Sequence, residues 1–513
     1  MESSQPKKVK LNDNGRTDCD DYRGFKVGAN GDLEKEKITG ISDRNFFSKY
    51  VAARKPVKIT KPINGIPVEE LLPDRMETTL KWESPLKVER KYKGGFGSNK
   101  QRCRMKLGEL LELFRQKDGQ YYMTTQYEDS SDEEVNEEKD EEKDEEDDND
   151  CSDDGEGVDS GKVLDDKKIV QEPKGENADD SDLLLDFDLS NLRDDYDECV
   201  DVSAEKDYDE KRVRVLQLFQ PPLTKFGEKL PLAPKPLSML VPQQVNLWMG
   251  YNAVASNSRL SSHTEVLHDV DSKYVPGGTS SGLHHDHSDN LYVLISGKKR
   301  FTLFSPNYAR RLYTVGNIYR VHQSGVIDYE NDASSPHWQH VRDDGALVSQ
   351  ATYWKLSKEG KDGQSEEQES KSIDENENEQ EATTNEKPAH PPSFSTIPPI
   401  LLHLDEIEKD KRLHLEEFAE KRFPGFLDIP KLVVWLNPGE SLYLPAGWFH
   451  EVSSFGSDAP NSPWYRNVHT ALNYWFAPPN CNSYDKPYRD SYWKEDFELT
   501  KEALYFFKQK QLH

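Results

Sequence analysis

A run of acidic residues restricts the fold of this chain more than any other sequence feature. Residues 128–159 hold about 20 aspartate and glutamate side chains and only two lysines, which is most of the imbalance behind a net charge of −28. Such a block repels itself and has too few apolar side chains to form a core. The folded part of the 513-residue chain must therefore be assembled from segments on both sides of it.

Polar stretches separate the patterned parts of the sequence into segments. We predict three parts of one fold, a disordered N-terminus and two disordered insertions. The fold segments are residues 36–127, 208–355 and 399–513; the disordered ones are 1–35, the acidic insertion 128–207, and 356–398.

Short strand-like stretches dominate the fold segments. LYVLI (291–295) and RFTLF (300–304) lie on either side of a glycine, RRLYTV (310–315) continues the pattern, and SLYL (441–444) is expected to pair with WFHEVSS (448–454). Helical patterns flank them. Many short strands between Gly/Pro turns favour a barrel or sandwich over a parallel sheet, so we predict a mainly β fold with flanking helices.

Composition excludes several classes of protein. No run approaches 18 apolar residues, so we expect no membrane span, and the N-terminus lacks the apolar stretch of a secretory signal. Five scattered cysteines without a CxxC suit a reducing compartment and indicate no zinc module. The acidic insertion disfavours direct nucleic-acid binding and suits a basic partner. PKKVK (6–10) resembles a nuclear import signal, which favours the nucleus over the cytoplasm.

Two histidines and one carboxylate form a candidate metal site. His284 and Asp286 lie in SGLHHDHSDN, and on a strand their side chains point to the same side. His450 follows a Pro-Ala-Gly turn in WFHEV and can reach the same place from a distant strand. Two imidazoles and a carboxylate on one face are the facial triad that binds Fe(II) in non-haem oxygenases. His285 and His287 form a competing pair on the other face, but without the carboxylate.

The long strings around these residues resemble the JmjC (cupin) family of Fe(II)- and 2-oxoglutarate-dependent oxygenases. SSGLHHDHSDNLYVLISGKKRF and SLYLPAGWFHEV are most similar to JmjC-only proteins of plants and fungi. The resemblance implies a double-stranded β-helix (jelly roll), with Fe(II) held by His284, Asp286 and His450, and 2-oxoglutarate and O2 as cosubstrates. His450 lies 164 residues after Asp286, which is long for the family and is explained by the insertion 356–398.

The resemblance also assigns five residues to the 2-oxoglutarate pocket: Lys299, Ser281, Asn290, Asn473 and Tyr122. Lys299 would pair with the distal carboxylate, with a hydroxyl donor at Ser281 and a phenol at Tyr122. Lys298 is the rival of Lys299, and strand alternation separates the two. Tyr121 is the alternative to Tyr122.

The resemblance implies a dioxygenase that acts on a protein substrate. Two reactions remain open, side-chain hydroxylation and demethylation of a histone lysine, and the latter would regulate gene expression. The acidic insertion suits a histone or another basic protein, whereas the absence of zinc fingers and histone-reader modules favours hydroxylation. A different class of function is a catalytically silent JmjC scaffold for a basic nuclear partner, which an intact triad with Lys299 argues against. A cupin isomerase or storage protein would lack that lysine and the asparagines.

Overall fold

The computed structural model describes residues 21–28, 33–37, 41–93, 95–97, 102–126, 202–253, 273–359, 391–457 and 461–510. All of these belong to one compact unit, made of residues 1–126 and 189–513. The acidic block at 128–159 and the PKKVK sequence lie outside the described residues.

Seven α-helices and several shorter helical turns lie in the described part of the chain. The α-helices are α1 (Asp43–Phe46), α2 (Met76–Leu80), α3 (Leu107–Arg115), α4 (Val202–Leu218), α5 (Val348–Lys358), α6 (Lys409–Arg422) and α7 (Tyr492–Lys510). A π-helical turn, Phe47–Val51, extends α1. The 3-10 helices are Val68–Leu71, Thr224–Lys229, Lys235–Leu237, Pro306–Arg311, Pro399–Glu406 and Trp464–Asn467. None of the described helices is both long enough and apolar enough to span a bilayer.

The described strands number sixteen. They are β1 (Lys35–Glu36), β2 (Val57–Ile59), β3 (Leu86–Arg90), β4 (Arg102–Met105), β5 (Tyr121–Met123), β6 (Pro242–Tyr251), β7 (Tyr274–Val275), β8 (Gly278–Ser280), β9 (Asp289–Ser296), β10 (Lys298–Phe304), β11 (Ile318–Val321), β12 (Ile327–Tyr329), β13 (Leu432–Leu436), β14 (Ser441–Leu444), β15 (Phe449–Phe455) and β16 (Val468–Phe476). A large sheet has the order β1-β2-β14-β9-β16-β6-β5-β3-β4, a smaller one β13-β10-β15-β8-β7, and β11 pairs with β12.

The chain alternates between the two sheets from β8 to β10 and again from β13 to β16, which is the winding of a double-stranded β-helix. β8, β10, β13 and β15 belong to the smaller sheet, whereas β9, β14 and β16 belong to the larger one. The predicted mainly β fold with flanking helices is thus confirmed. The predicted pairing of SLYL with WFHEVSS is wrong, because β14 pairs with β9 and β2 while β15 pairs with β10 and β8. The Pro-Ala-Gly turn crosses from one sheet to the other instead of closing a hairpin.

Strand alternation separates an apolar exterior of the large sheet from a mixed interior. Leu291, Val293 and Ile295 of β9 join the largest core cluster, together with apolar residues of α1, α2 and α3. Tyr292 and Leu294 join a second cluster with residues of β10, β13 and β14. The helices therefore cover the outer face of the large sheet, and the space between the two sheets is left for the inward side chains.

The predicted disordered segments need correction at their ends. In the N-terminal segment Tyr22 and Val27 are buried, and the Asp21 amide donates to the Val321 carbonyl. Helix α4 begins at Val202, inside the predicted insertion 128–207. Residues 356–358 belong to α5, and residues 391–398 pack on the fold. The described residues in these end segments are buried or hydrogen-bonded against segments far away in sequence. Composition alone does not reveal such contacts.

Two predicted elements have a different form. RRLYTV was expected to be a strand, but Arg310 and Arg311 end a 3-10 helix that begins at Pro306. Ser305 caps this turn through its hydroxyl, and proline suits a first helical position, so the local signals favour a helical start. The sequence pattern of residues 401–422 also predicts one helix, which the structure divides into the 3-10 helix Pro399–Glu406 and α6.

Candidate metal centre

Three side chains that could hold a metal ion, from two distant parts of the chain, converge at one place. The donor atoms of His284, Asp286 and His450 all lie within 4.8 Å of one another, and His450 Nε2 is 3.7 Å from Asp286 Oδ2. The backbones of the two histidines form a reciprocal bridge, with the His284 amide 3.1 Å from the His450 carbonyl and the His450 amide 2.7 Å from the His284 carbonyl. The bridge therefore fixes the separation of ligands that lie 166 residues apart in sequence.

Backbone carbonyls orient both imidazoles. His284 Nδ1 lies 3.0 Å from the Gly282 carbonyl, and His450 Nδ1 lies 3.0 Å from the Trp448 carbonyl. A proton on each Nδ1 donates to these carbonyls and leaves Nε2 free to bind a metal. Desolvation lowers the pKa of His284 to about 4, and the neighbouring His450 adds to the shift. The His284 imidazole is therefore neutral at pH 7, as a metal ligand must be.

The carboxylate ligand is held by an amide and by the turn before β15. Asn290 Nδ2 donates to Asp286 Oδ2 over 3.1 Å, and the Gly447 amide donates to the Asp286 carbonyl over 2.9 Å. Gly447 has a φ of +75°, and a Cβ there would lie 1.7 Å from the Gly325 carbonyl oxygen. Only glycine fits this crossing, so the turn that delivers His450 depends on it.

A buried ion pair lies beneath the same turn. Arg54 is bidentate to Asp289, and both side chains are almost fully buried. The Tyr443 hydroxyl donates to Asp289 over 2.6 Å, and the Ala446 amide donates over 2.9 Å. Asp289 thus joins the start of β9 to the turn that precedes His450, and we refer to these groups as the Asp289 clamp.

The barrel interior next to the triad is polar. Lys299 is 1% exposed and its Nζ donates to Ser454 Oγ over 2.6 Å. The same Nζ lies 5.5 Å from the centre of the Tyr122 ring, and no carboxylate of the described residues forms an ion pair with it. Burial lowers the pKa of Lys299 to about 7 and raises that of Tyr122. Lys298 instead lies outside the barrel, over the Trp435 ring, as strand alternation predicted.

The other three predicted pocket residues have defined contacts. Asn473 Oδ1 accepts from Trp248 Nε1 over 2.7 Å. Asn290 is the amide that contacts Asp286, and its own Oδ1 is buried without a partner in the described structure. The Ser281 hydroxyl donates to the Gly282 carbonyl and accepts from the Val452 amide. The hydroxyl that contacts Lys299 is therefore that of Ser454, and the role of Ser281 toward 2-oxoglutarate stays a prediction.

Comparison with known families decides the identity of this fold. The cupin-like domain family matches residues 43–482, which is most of the chain. The chain belongs to the cupin-like JmjC family. Among similar proteins are JmjC domain-containing protein 4 of Schizosaccharomyces pombe, 30% identical over 327 residues, and lysine-specific demethylase JMJ32 of Arabidopsis thaliana, 25% identical over 197 residues.

The similarity to these two relatives is partial. The first match covers 53% of this JmjC protein and 63% of the relative, and the second covers 38% of each chain. The chain thus spans less than two thirds of either relative. The two partial matches support a domain shared with these relatives, and they carry no activity over to this JmjC protein.

The competing histidine pair of the JmjC protein lies away from the triad. His285 Nε2 is 2.5 Å from the Tyr329 hydroxyl, and His287 Nε2 is 3.0 Å from the Ile327 carbonyl. Burial lowers the pKa of both imidazoles. Both rings are engaged with strand β12, and among the described residues His284, Asp286 and His450 are the three that group as a metal site.

A segment predicted to be disordered forms one wall of the site. Residues 391–397, which we call the strap, lie between the 283–285 segment and residues 313–316. The Ser395 amide donates to the Leu283 carbonyl over 2.8 Å, and the Val315 amide donates to the Phe394 carbonyl over 2.7 Å. The Phe394 ring stacks on His284 with ring centres 4.8 Å apart. The strap therefore fixes the ligand segment on the side opposite His450.

Three residues near the site were missed by sequence reasoning: Phe394, Lys273 and His469. Phe394 lies in a polar, proline-rich stretch, and Lys273 follows the polar residues 251–272. His469 lies four residues before Asn473 on β16, so strand alternation places both on the inward face. That spacing was the one signal available for His469.

Proposed function

We propose that this JmjC protein is an Fe(II)- and 2-oxoglutarate-dependent dioxygenase that hydroxylates a side chain of a protein substrate. The observation that carries the proposal is the convergence of His284, Asp286 and His450 in a barrel that also holds a buried lysine, Lys299. Neutral imidazoles and one carboxylate are suitable donors for Fe(II) and leave coordination positions for other ligands. When bound, Fe(II) and 2-oxoglutarate supply the oxidation of a C–H bond by O2, with release of succinate and CO2.

The protein's own groups then bind and orient the reactants. Lys299 offers an ammonium to the distal carboxylate of the cosubstrate, beside the Tyr122 hydroxyl. Asn290 holds Asp286 in place, and Trp248 holds Asn473. The Phe394 ring covers one side of His284 and excludes water there. Partial exposure of His284 and Asp286 leaves the centre accessible from outside.

A second buried cation favours hydroxylation over demethylation. Lys273 is 9% exposed, donates to the Phe96 and Ser281 carbonyls, and lies 5.3 Å from the centre of the Phe394 ring. Its charge contributes to lowering the pKa of His284. A methylated lysine substrate would bring another cation into this partly desolvated centre, where like charges repel strongly. A neutral or acidic acceptor side chain avoids this repulsion.

The activity can be tested with the purified full-length chain, Fe(II) and 2-oxoglutarate. Succinate formation without a substrate would show turnover of the cosubstrate, and a nuclear protein extract read by mass spectrometry would show the product. We expect a protein that gains the mass of one oxygen atom. Loss of methyl groups from histone peptides would instead identify a demethylase. A protein that binds neither metal nor 2-oxoglutarate would favour the silent scaffold.

Lys299→Met tests the proposed cosubstrate contact. We expect 2-oxoglutarate affinity to fall about 10- to 100-fold, because a hydrogen bond between charged groups is worth roughly 1.5–3 kcal/mol. The matched control is Lys298→Met, which removes the neighbouring lysine on the outer face and leaves affinity unchanged. Calorimetry on the Mn(II)-loaded protein measures both. Equal affinities of the two variants would contradict the assignment of Lys299.

The affinity for 2-oxoglutarate is expected to depend on pH through Lys299. Its pKa in the free protein is lowered to about 7 by burial. The facing His469 and Tyr122 stay neutral, since burial lowers the pKa of the histidine and raises that of the tyrosine. Below pH 7 the ammonium is present and binding is strongest. As the pH rises above 7, Lys299 must take up a proton when 2-oxoglutarate binds. The dissociation constant for 2-oxoglutarate therefore increases by about tenfold per pH unit. A flat profile in calorimetry would contradict this.

The nuclear location and the basic partner are proposals supported by sequence alone. PKKVK supports the first, and the acidic insertion supports the second. Imaging of a tagged chain with Lys7 and Lys8 changed to alanine would test the location. If this variant is still retained in the nucleus, PKKVK is not the import signal.

A further inference from the structure

A buried histidine on β16 has no hydrogen-bond partner in the described structure. His469 is fully buried, and neither Nδ1 nor Nε2 makes a hydrogen bond to another described residue. Leaving a buried polar group unpaired costs about 1–3 kcal/mol, so native proteins rarely leave both nitrogens of one ring in this state. The position therefore suits a ligand-binding residue better than a packing residue.

The surroundings of His469 are those of an anion site. Its ring centre lies 5.7 Å from that of Tyr122, and the charge of Lys299 contributes to lowering its pKa. Tyr122 in turn lies 5.5 Å from the Lys299 ammonium. A phenol, an ammonium and an imidazole thus share one buried region. Lys299 forms no ion pair with a described residue, and the carboxylate of Glu451 acts on it only through its charge.

Strand register lets the imidazole and the Tyr122 ring pack closely over one glycine. Gly250 of β6 pairs with His469 of β16 and with Tyr122 of β5. A Cβ at Gly250 would lie 2.5 Å from His469 Cε1 and 2.5 Å from Tyr122 Cδ2. Any larger residue would push the two rings apart, so the glycine permits their close approach over one region of the barrel interior.

Another unpaired donor lies on the same interior face. Thr279 Oγ1 is buried without a partner among the described residues, and Thr279 is opposite Ser454, the residue that accepts from Lys299. Opposite residues of an antiparallel pair project to the same side of the sheet. The Lys299 region is thus bordered by unused hydrogen-bonding groups from the small sheet and the large sheet.

We propose that His469 is a further binding residue for the distal carboxylate of the cosubstrate, to which it donates one ring N–H beside Lys299. This inference rests on the proposed function, because it concerns the same cosubstrate. A neutral imidazole has one donor nitrogen, and a carboxylate offers several acceptor positions. Burial holds the pKa of His469 well below its usual value, so the neutral form is the one present near pH 7.

The test compares two keto acids that differ only at the distal end. 2-Oxoglutarate has the distal carboxylate, whereas 2-oxopentanoate has the same keto acid and chain length without it. Binding of each to the Mn(II)-loaded full chain is measured by calorimetry for wild type, His469→Leu and His469→Asn. We expect His469→Leu to weaken 2-oxoglutarate binding about 10- to 100-fold and to leave 2-oxopentanoate binding nearly unchanged. His469→Asn keeps a donor and should recover part of the loss.

A second measurement covers the case in which His469→Leu does not fold. Succinate, which does not react, is titrated into wild-type protein labelled with 15N at histidine, and His469→Asn assigns the signal by its loss. A shift of the His469 ring nitrogens on succinate binding supports the proposal. Unchanged ring nitrogens in the succinate-bound protein, or equal keto acid preference in wild type and His469→Leu, overturn it.

Failure of this inference can be distinguished from failure of the proposed function. One outcome is that wild type prefers 2-oxoglutarate to 2-oxopentanoate, with the preference lost in Lys299→Met and kept in both His469 variants. In that case only the role of His469 is wrong. If wild-type protein binds neither keto acid, the proposed function fails and the role of His469 fails with it.

Discussion

Alanine in place of Asp286 will lower the affinity for Fe(II) or Mn(II) by more than about 100-fold. Removal of groups that merely support metal ligands costs 10–100-fold in metal affinity, and Asp286 is itself the one carboxylate of the site. Its loss leaves two imidazoles and no negative charge to offset the cation. We expect calorimetry under anaerobic conditions to show little or no binding.

Two control variants make this result specific. His287→Ala removes an imidazole one residue away that contacts the Ile327 carbonyl, and we expect metal affinity close to that of wild type. Asn290→Ala removes the amide that contacts Asp286 Oδ2, and we expect an intermediate loss of about tenfold. Metal binding by Asp286→Ala with wild-type affinity would show that the ion, if bound, lies elsewhere.

Replacement of Asp289 by alanine will lower the free energy of unfolding by about 3–5 kcal/mol. The substitution leaves the Arg54 guanidinium buried without its counter-charge, and breaking a buried pair in this way carries that cost. It also removes the acceptor for the Tyr443 hydroxyl and the Ala446 amide. Urea denaturation monitored by tryptophan fluorescence measures the change.

A second bidentate pair of the same protein provides a matched control. Arg44 and Asp485 make two hydrogen bonds of 2.8 Å, but their side chains are 62% and 68% exposed. Because water and salt screen an exposed pair, Asp485→Ala should have little effect on the free energy of unfolding. Equal destabilisation by Asp289→Ala and Asp485→Ala would mean that burial does not determine how much the Asp289 clamp contributes to the free energy of unfolding.

The Asp289 clamp also links stability to the metal centre. The turn that it holds through Ala446 delivers His450, and the Gly447 amide of the same turn contacts the Asp286 carbonyl. We expect Asp289→Ala to weaken metal binding as well as folding, although Asp289 is not a ligand.

The local sequence pattern was sufficient to predict the features that depend only on neighbouring residues. The alternation of side chains on a strand separates Lys299 from Lys298, and the two lie on opposite sides of β10 in the structure. The same alternation paired His284 with Asp286 and set His285 and His287 apart, and the donor atoms of the first pair do lie together. The predicted strand at 284–286 is wrong, because only His284 forms bridges and β9 begins at Asp289. These relations are fixed within a few residues, so no knowledge of the rest of the chain was needed.

The tertiary structure decided every relation that depends on distant partners. β14 and β15 lie in different sheets although four residues separate them, because each finds its hydrogen-bonding partners in other strands. The strap was expected to be disordered from its polar composition, yet its backbone pairs with the ligand segment. His469 gains its significance only from Gly250, Tyr122 and Lys299, which three other strands bring next to it.

The amino-acid sequence by itself predicted the mainly β fold, and strand period was enough to pair His284 with Asp286 and to separate Lys299 from Lys298. The choice of His450 and of Lys299 came from the resemblance of the surrounding strings to the family. The folded chain alone decided how His450 meets His284, which segment forms the wall of the site and which imidazole shares the buried region around Lys299. The physical reason is that backbone pairing and burial are satisfied between segments far apart in sequence, and these partners are chosen only when the whole core assembles.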